Sequence, residues 1–114
     1  MYRIYHNPRC KKSRAGLNYL ESKGIDFEKI EYLKTGLKPE ELEVIFTKLN
    51  KNPSEMIRKQ EAIYKSDFKG KQFTEEEWIQ IISEHPKLLN RPIIEGKYKA
   101  VWGDPIENID TLLA

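Results

Sequence analysis

The pattern over residues 1–33 constrains the fold most, because it reads as a strand, a helix and a second strand. Residues 2–5 form a short run of β-prone side chains, and residues 13–23 have Leu17 and Leu20 at helical spacing. Gly24 is typical of a helix end, and residues 25–33 alternate imperfectly between apolar and charged side chains. This order predicts two parallel strands joined by a right-handed crossover.

The loop between the first strand and the helix carries the only cysteine of the chain, Cys10. Four basic side chains surround it in sequence, without any carboxylate: Arg9, Lys11, Lys12 and Arg14. A thiol at the start of a helix faces unpaired N–H groups and the positive end of the helix dipole. Because these groups and nearby cations stabilise a thiolate, we predict that Cys10 has a lowered pKa and acts as a nucleophile.

A lone cysteine is more often a small buried apolar residue. The polar, basic loop, turned by Pro8, is a poor setting for an inert core thiol. We therefore favour the reactive reading of Cys10.

Two further residues of this region extend the hypothesis. His6 lies four residues before the cysteine, where a protonated imidazole facing Cys10 would favour the thiolate. Taken alone, a histidine here is more often a core or surface residue. Ser13 completes a Cys-x-x-Ser pattern, which lacks a second thiol to resolve a mixed disulfide, so the resolving thiol must come from another molecule. Ser13 is equally well explained as a hydroxyl at a helix end.

The middle of the chain predicts helices. Pro39 suits a first helical turn before apolar side chains at helical spacing over residues 39–49. Asn52 is a candidate cap for a second helix, and Thr74 opens a third through a capping box. Residues 65–72 are polar and contain glycine, so we predict a loop there.

The last third predicts a β-hairpin, from residues 92–95 and 98–102, followed by a helix over residues 105–113. Asp104 is the candidate N-cap of that helix, and Pro105 its first residue. Taken together, the elements predict an α/β fold with a mixed sheet and helices on its faces.

Length and composition limit the classes of function that the chain can have. The 114 residues fit one domain, and a net charge of +2 is too small to indicate nucleic acid binding by itself. One cysteine excludes an internal disulfide, and two scattered histidines make a metal site improbable. A phosphatase loop would need an arginine where Gly16 stands. No apolar run approaches the roughly 20 residues that span a bilayer, and we see no signal peptide, so we expect a cytoplasmic protein.

Three segments resemble a known family. Residues 4–14 (IYHNPRCKKSR) resemble the active-site loop of the glutaredoxin-dependent arsenate reductases. Residues 56–59 (MIRK) and 85–93 (HPKLLNRPI) are similar to two further motifs of that family, in the same order and at similar spacing. The resemblance covers nearly the whole chain. The related Spx regulators share the fold and the last motif.

The resemblance implies a single thioredoxin-like domain over residues 1–114, with a helical insertion at about residues 38–84. It implies that Cys10 attacks arsenate and that His6 lowers its pKa. It also implies that Arg58 and Arg91 bind the anion and that Pro92 is the cis proline beside the cysteine. The family's third arginine is replaced by Asp104, which puts an anion in place of a cation, so we expect weak binding of arsenate.

The same resemblance implies the partners. We expect arsenate, another oxyanion or a thiol as substrate, glutathione as co-substrate, glutaredoxin as reductant, and no bound cofactor. Ser13 and Arg14 join Arg58 and Arg91 as candidate substrate-binding residues. We expect neither nucleic acid nor a membrane as a partner.

An Spx-like regulator that binds RNA polymerase is the alternative function. The redox switch of that group uses Cys-x-x-Cys, whereas this chain has Cys-x-x-Ser after a His-Asn-Pro lead-in. This difference favours the enzyme.

Overall fold

The computed structural model describes all residues, Met1–Ala114. They form two compact units, one made of Met1–Thr35 with Arg91–Ala114 and the other of Gly36–Asn90. The predicted insertion at about residues 38–84 falls within the second unit. The assignment of the whole chain to one domain stays a prediction. None of the helices has the length and apolar character needed to cross a membrane.

The first unit is built on a mixed four-stranded sheet, as the sequence predicts. Its strands follow the order β2-β1-β3-β4, and their bounds are β1 Tyr2–Tyr5, β2 Phe27–Ile30, β3 Ile93–Glu95 and β4 Ala100–Trp102. Strand β1 pairs parallel with β2 and antiparallel with β3, and β3 and β4 form the predicted antiparallel hairpin. The predicted parallel strand pair and hairpin are both confirmed.

The chain has five α-helices. Three belong to the first unit: α1 Lys11–Ser22, α2 Tyr32–Thr35 and α5 Glu107–Leu113. Two belong to the second unit: α3 Pro39–Leu49 and α4 Glu75–Glu84. The core of the first unit joins β1, α1, β3 and α5 through four side chains without solvent exposure, Ile4, Leu20, Ile94 and Ile109. Helix α1 ends before Gly24, whose φ of +66° is readily adopted only by glycine. This packing holds the start of α1 at the carboxyl end of β1.

The second unit confirms the predicted helix starts. Pro39 begins α3, and the Glu41 side chain accepts a hydrogen bond from the Lys38 N–H at 2.9 Å. Thr74 and Glu77 form the predicted capping box of α4. Asn52 caps a helix, but this helix is a short 3-10 turn over Pro53–Met56. A further 3-10 turn, Pro86–Leu88, follows α4.

Several predicted boundaries were wrong. Helix α1 begins at Lys11 rather than residue 13, and β2 is confined to Phe27–Ile30 because the fully buried Tyr32 starts a helical turn. The predicted loop at residues 65–72 contains one π-helical turn, Tyr64–Phe68. Its Phe68 ring lies against the rings of other aromatic side chains in the same unit, which gives this polar segment an anchor.

The predicted N-cap of the last helix was also wrong. Helix α5 begins at Glu107 with Ile106 as its N-cap residue, and no side chain caps it. The carboxylate of Asp104 is drawn instead to Lys12, whose Nζ lies 2.9 Å from Oδ2.

Candidate active site

Cys10 is the N-cap residue of α1, in extended conformation and partly exposed. Its N–H donates to the Asn7 carbonyl at 3.0 Å, and its own carbonyl accepts from the Arg14 N–H at 2.9 Å. The chain thus turns tightly after β1 and enters the helix at the cysteine. The thiol lies at the predicted turn between a strand and a helix, beside the N–H groups of the first helical turn that have no partner within the helix.

The surroundings of Cys10 favour its thiolate. Partial burial raises the pKa of the thiol, but hydrogen bonds from the Ser13 N–H, the Arg91 side chain and the Lys12 N–H lower it, as does the charge of Arg91. The net pKa of Cys10 lies below its ordinary value. The cation that acts here is the buried Arg91, which follows Cys10 by 81 residues in the sequence, rather than a side chain of the basic loop.

His6 pairs with Ser13 at the turn after β1. It is buried, and its Nδ1 lies 2.7 Å from the Ser13 Oγ. Burial and the charge of Lys29 lower the pKa of His6, against a raising effect of Glu31, so the neutral imidazole is favoured near neutral pH. Desolvation thus penalises the charged ring. The predicted effect of His6 on the pKa of Cys10 stays a prediction.

Ser13 connects His6 to the thiol loop. Its side chain is fully buried, and its Oγ accepts the Asn7 N–H at 2.9 Å while pairing with His6. One hydroxyl therefore ties the end of β1, the turn and the first turn of α1 together. This arrangement orients the Ser13 N–H, which donates to the Cys10 sulfur.

Two more contacts brace the turn from outside. The Asn7 Oδ1 accepts the Arg9 N–H at 3.1 Å, and the Arg14 Nη1 donates to the Pro8 carbonyl at 3.0 Å. The guanidinium of Arg14 thus supports the loop backbone. Its predicted role in substrate binding, like that of Ser13, stays a prediction.

Pro92 lies against α1 and the end of the hairpin. The Arg91–Pro92 peptide bond is cis, which confirms the isomer implied for Pro92. A Cβ on Gly16 would lie 2.7 Å from the Pro92 Cγ, and a Cβ on Gly103 would lie 3.0 Å from it. The Gly103 N–H also donates to the Pro92 carbonyl at 2.8 Å. Only glycines allow the helix and the loop after β4 to approach the proline so closely.

Lys12 pairs with Asp104, a contact that was not predicted from the sequence. The Lys12 ammonium lies 2.9 Å from the Asp104 carboxylate and 6.0 Å from the centre of the Trp102 ring. One sequence signal pointed to this pair: Asp104 stands where the family pattern has an arginine. One cation of the basic loop is thereby neutralised.

Arg58 belongs to the second unit. Its N–H donates to the Leu88 carbonyl at 2.7 Å, and its Nε lies 3.1 Å from the Glu61 carboxylate. The assignment of Arg58 to anion binding stays a prediction. The structure contains no group of three or more His, Cys, Asp or Glu side chains arranged to hold a metal ion.

A mixed four-stranded sheet with a cysteine at its first β-to-α turn and a cis proline packed on the following helix defines a thioredoxin-like protein. The structure of an arsenate reductase from Vibrio cholerae agrees, with a TM-score of 0.88 and 36% identity over 96% of this chain and 95% of that one. The chain belongs to the ArsC family, whose model matches residues 5–112.

Two further relatives are similar over nearly their full lengths. An arsenate reductase of Neisseria meningitidis serogroup B is 40% identical over 113 residues, covering 97% of each chain. The protein YfgD of Escherichia coli K12, which carries no assigned activity in its name, is 38% identical over 109 residues, covering 94% of this chain and 92% of that protein.

Proposed function

We propose that this protein is a thiol-dependent oxidoreductase of the arsenate reductase type, with the thiolate of Cys10 as nucleophile. The observation that carries the proposal is the position of Cys10. It caps α1, and two backbone N–H groups and the Arg91 side chain hold its pKa below the ordinary value. Membership of the ArsC family, with relatives named arsenate reductase, supports the same reaction class.

The chemistry requires an external thiol. Attack of the Cys10 thiolate on arsenic(V) forms a sulfur–arsenic bond and releases water or hydroxide. A second thiol then attacks the Cys10 sulfur, so that a mixed disulfide forms, two electrons pass to arsenic and arsenite leaves. Because Cys10 is the only cysteine, another thiol must break the mixed disulfide. Glutathione and glutaredoxin are the proposed thiols, which places the protein in a reducing compartment such as the cytoplasm.

Three residues around Cys10 in the first unit have roles in this proposal. Arg91 stabilises the thiolate and binds the entering oxyanion, for which a planar guanidinium is well suited. His6 and Ser13 are positioning residues, because they act on the thiol through the backbone of the turn. Arg58, in the second unit, is separately proposed to bind an anion.

Arsenate itself is proposed to be a poor substrate. Asp104 removes a cation at the position where the family pattern has an arginine, and it also neutralises Lys12. Loss of one charge-assisted contact is worth roughly 1.5–3 kcal/mol, or about one to two decades in affinity.

The test is an arsenate reduction assay coupled to glutathione and glutaredoxin, run on the wild type, Cys10→Ser and Asp104→Arg. We expect slow turnover in the wild type, none in Cys10→Ser, and a gain in kcat/KM of about tenfold in Asp104→Arg. Asp110→Arg is the matched control, since Asp110 also lies near a lysine, Lys23, at 4.0 Å. Turnover that persists in Cys10→Ser would refute the nucleophile. Efficient wild-type turnover would refute the reading of Asp104.

A further inference from the structure

The second unit has a surface cavity of its own. Its volume is about 320 Å³, within the roughly 300–1,000 Å³ of sites that hold small organic ligands. Its walls come from the 3-10 turn Pro53–Met56 and the residues after it, from the π-helical turn Tyr64–Phe68, and from the segment that leads into α4. None of the residues that line it has a part in the proposed thiol reaction.

Packed rings hold the walls of this cavity in place. The Phe73 ring lies edge-on against Trp78, with ring centroids 4.9 Å apart, and the Phe68 centroid lies 5.9 Å from that of Phe73. The Lys69 N–H donates to the Tyr64 carbonyl at 2.8 Å, which closes the π-helical turn. Such turns are rare and often lie at functional sites. Because these contacts belong to the chain itself, the cavity is formed without a ligand.

The inner wall of the cavity is apolar and aromatic. Ile57 and Trp78 line it and are buried, each 6% exposed, and the half-buried Phe73 lies beside Trp78. Aromatic side chains pack well against a planar ring, through offset stacked or edge-to-face contacts. Removal of apolar surface from water favours such a contact. The wall therefore suits the ring of a small aromatic ligand.

The rim of the cavity is positively charged. Lys59 and Lys71 line it, both are exposed, and neither forms an ion pair within the chain. No acidic side chain lines it. The carboxylates of the neighbouring segments are engaged elsewhere: Glu61 with Arg58, Asp67 with the Ser66 hydroxyl and Glu77 with the Thr74 N–H. Two like charges thus lie at one opening without a counter-charge from the chain, and an anion there is attracted to both.

We propose that this cavity binds a small ligand in which a planar aromatic ring carries one anionic group. The ring lies against Phe73 and Trp78, and the anionic group lies at the rim with Lys59 and Lys71. A neutral aromatic compound leaves the two cations without a partner, and a free oxyanion leaves the aromatic wall in water, so the ligand needs both features. The inference concerns binding alone and does not depend on the thiol reaction.

The experiment compares 2-naphthoate with its neutral analogue 2-naphthamide, which has the same ring system without the charge. The chain has two tryptophans, Trp78 in the cavity and Trp102 in the first unit, so their indole N–H signals in an NMR titration report the two places separately. Trp78→Phe and Trp102→Phe assign the signals. We expect 2-naphthoate to shift the Trp78 signal, to leave the Trp102 signal in place, and to bind about fivefold more tightly than 2-naphthamide, the scale of two exposed charge contacts.

A double variant tests the two cations. Lys59→Gln with Lys71→Gln removes both charges and keeps polar side chains, and we expect it to weaken 2-naphthoate about fivefold and to leave 2-naphthamide unchanged. Lys65→Gln with Lys69→Gln is the matched control, because these lysines are exposed in the same segment and do not line the cavity. Both double variants have the same net charge, so a difference between them is local to the cavity.

Three results would overturn the site. The first is a Trp78 signal that does not move with 2-naphthoate at millimolar concentration. The second is equal binding of 2-naphthamide by the wild type, since the charges would then have no part in recognition. The third is an equal loss of 2-naphthoate binding in the two double variants, because the effect would not be local. All four lysines are exposed, so the spectrum outside the cavity should stay that of the wild type, and a lost response reports binding rather than unfolding.

Discussion

Substitution of Ser13 by alanine tests the central feature of the site, which is the single hydroxyl that ties the turn together. Its Oγ accepts the Asn7 N–H at 2.9 Å and pairs with the His6 Nδ1 at 2.7 Å, and the side chain is fully buried. Alanine keeps the backbone and the Cβ but removes both contacts. Asn7 and His6 are themselves buried, so water has poor access to the groups left behind.

The magnitude follows from those two groups. A buried donor or acceptor left without its partner costs about 1–3 kcal/mol. Two such groups give about 2–6 kcal/mol. The better helix propensity of alanine offsets about half a kcal/mol, and relaxation of the turn lowers the upper end. We therefore expect Ser13→Ala to lower the free energy of unfolding by about 2–4 kcal/mol, a large part of the 5–15 kcal/mol typical of a domain.

Urea unfolding measures this loss, and Ser22→Ala is the matched control in the same helix. Ser22 is exposed and its Oγ donates to the Tyr19 carbonyl at 2.6 Å, so its removal should change stability by no more than about 0.5 kcal/mol. A second readout is the rate of Cys10 alkylation against pH, whose inflection should move upward in Ser13→Ala as the Ser13 N–H loses its fixed orientation. Equal stability changes in the two serine variants would refute the reasoning.

Three further predictions concern the same unit. Arg91→Gln should raise the pKa of Cys10, because it removes a hydrogen bond and a charge that favour the thiolate, and should slow alkylation at pH 6 by about tenfold; an unchanged alkylation profile would contradict this. His6 has a lowered pKa, so the unfolded chain binds more protons than the native one, and stability should fall as pH drops below 6.5. Urea unfolding of His6→Gln should show a flatter pH dependence there, and an equally steep decline would exclude His6 as its source. Gly16→Ala should cost about 1 kcal/mol net, since a Cβ 2.7 Å from the Pro92 Cγ overpacks the contact by more than the helix gains; a rise in thermal midpoint would argue against the close approach.

Local sequence patterns predict where the thiol lies but not which side chains meet around it. Cys10 is predicted correctly at a turn into a helix because strand and helix patterns lie on both sides of it in the chain. The contact of His6 with Ser13 was not predicted, because proximity along the chain does not say which way a side chain points. After the turn, its Nδ1 lies 2.7 Å from the Ser13 Oγ.

The prediction that Asp104 caps the last helix was wrong because it rested on a local pattern. An acidic residue before a proline favours an N-cap, but α5 begins later, and the carboxylate meets a lysine that is 92 positions away in the sequence. A pairing of this kind depends on where β4 ends relative to α1. No local pattern contains that information.

The sequence by itself determined the order of the strands, the parallel β1–β2 pair, the β3–β4 hairpin and the position of the thiol, because hydrophobic period, glycine and proline act within a few residues. Tertiary structure alone decided which charges act on the thiol. The contacts around the thiol join parts of the chain that are far apart in the sequence: the start of α1, Arg91 and the loop after β4. These parts meet only once the sheet has formed. Electrostatic effects on a pKa depend on distance and burial in space, and these quantities exist only in the folded chain.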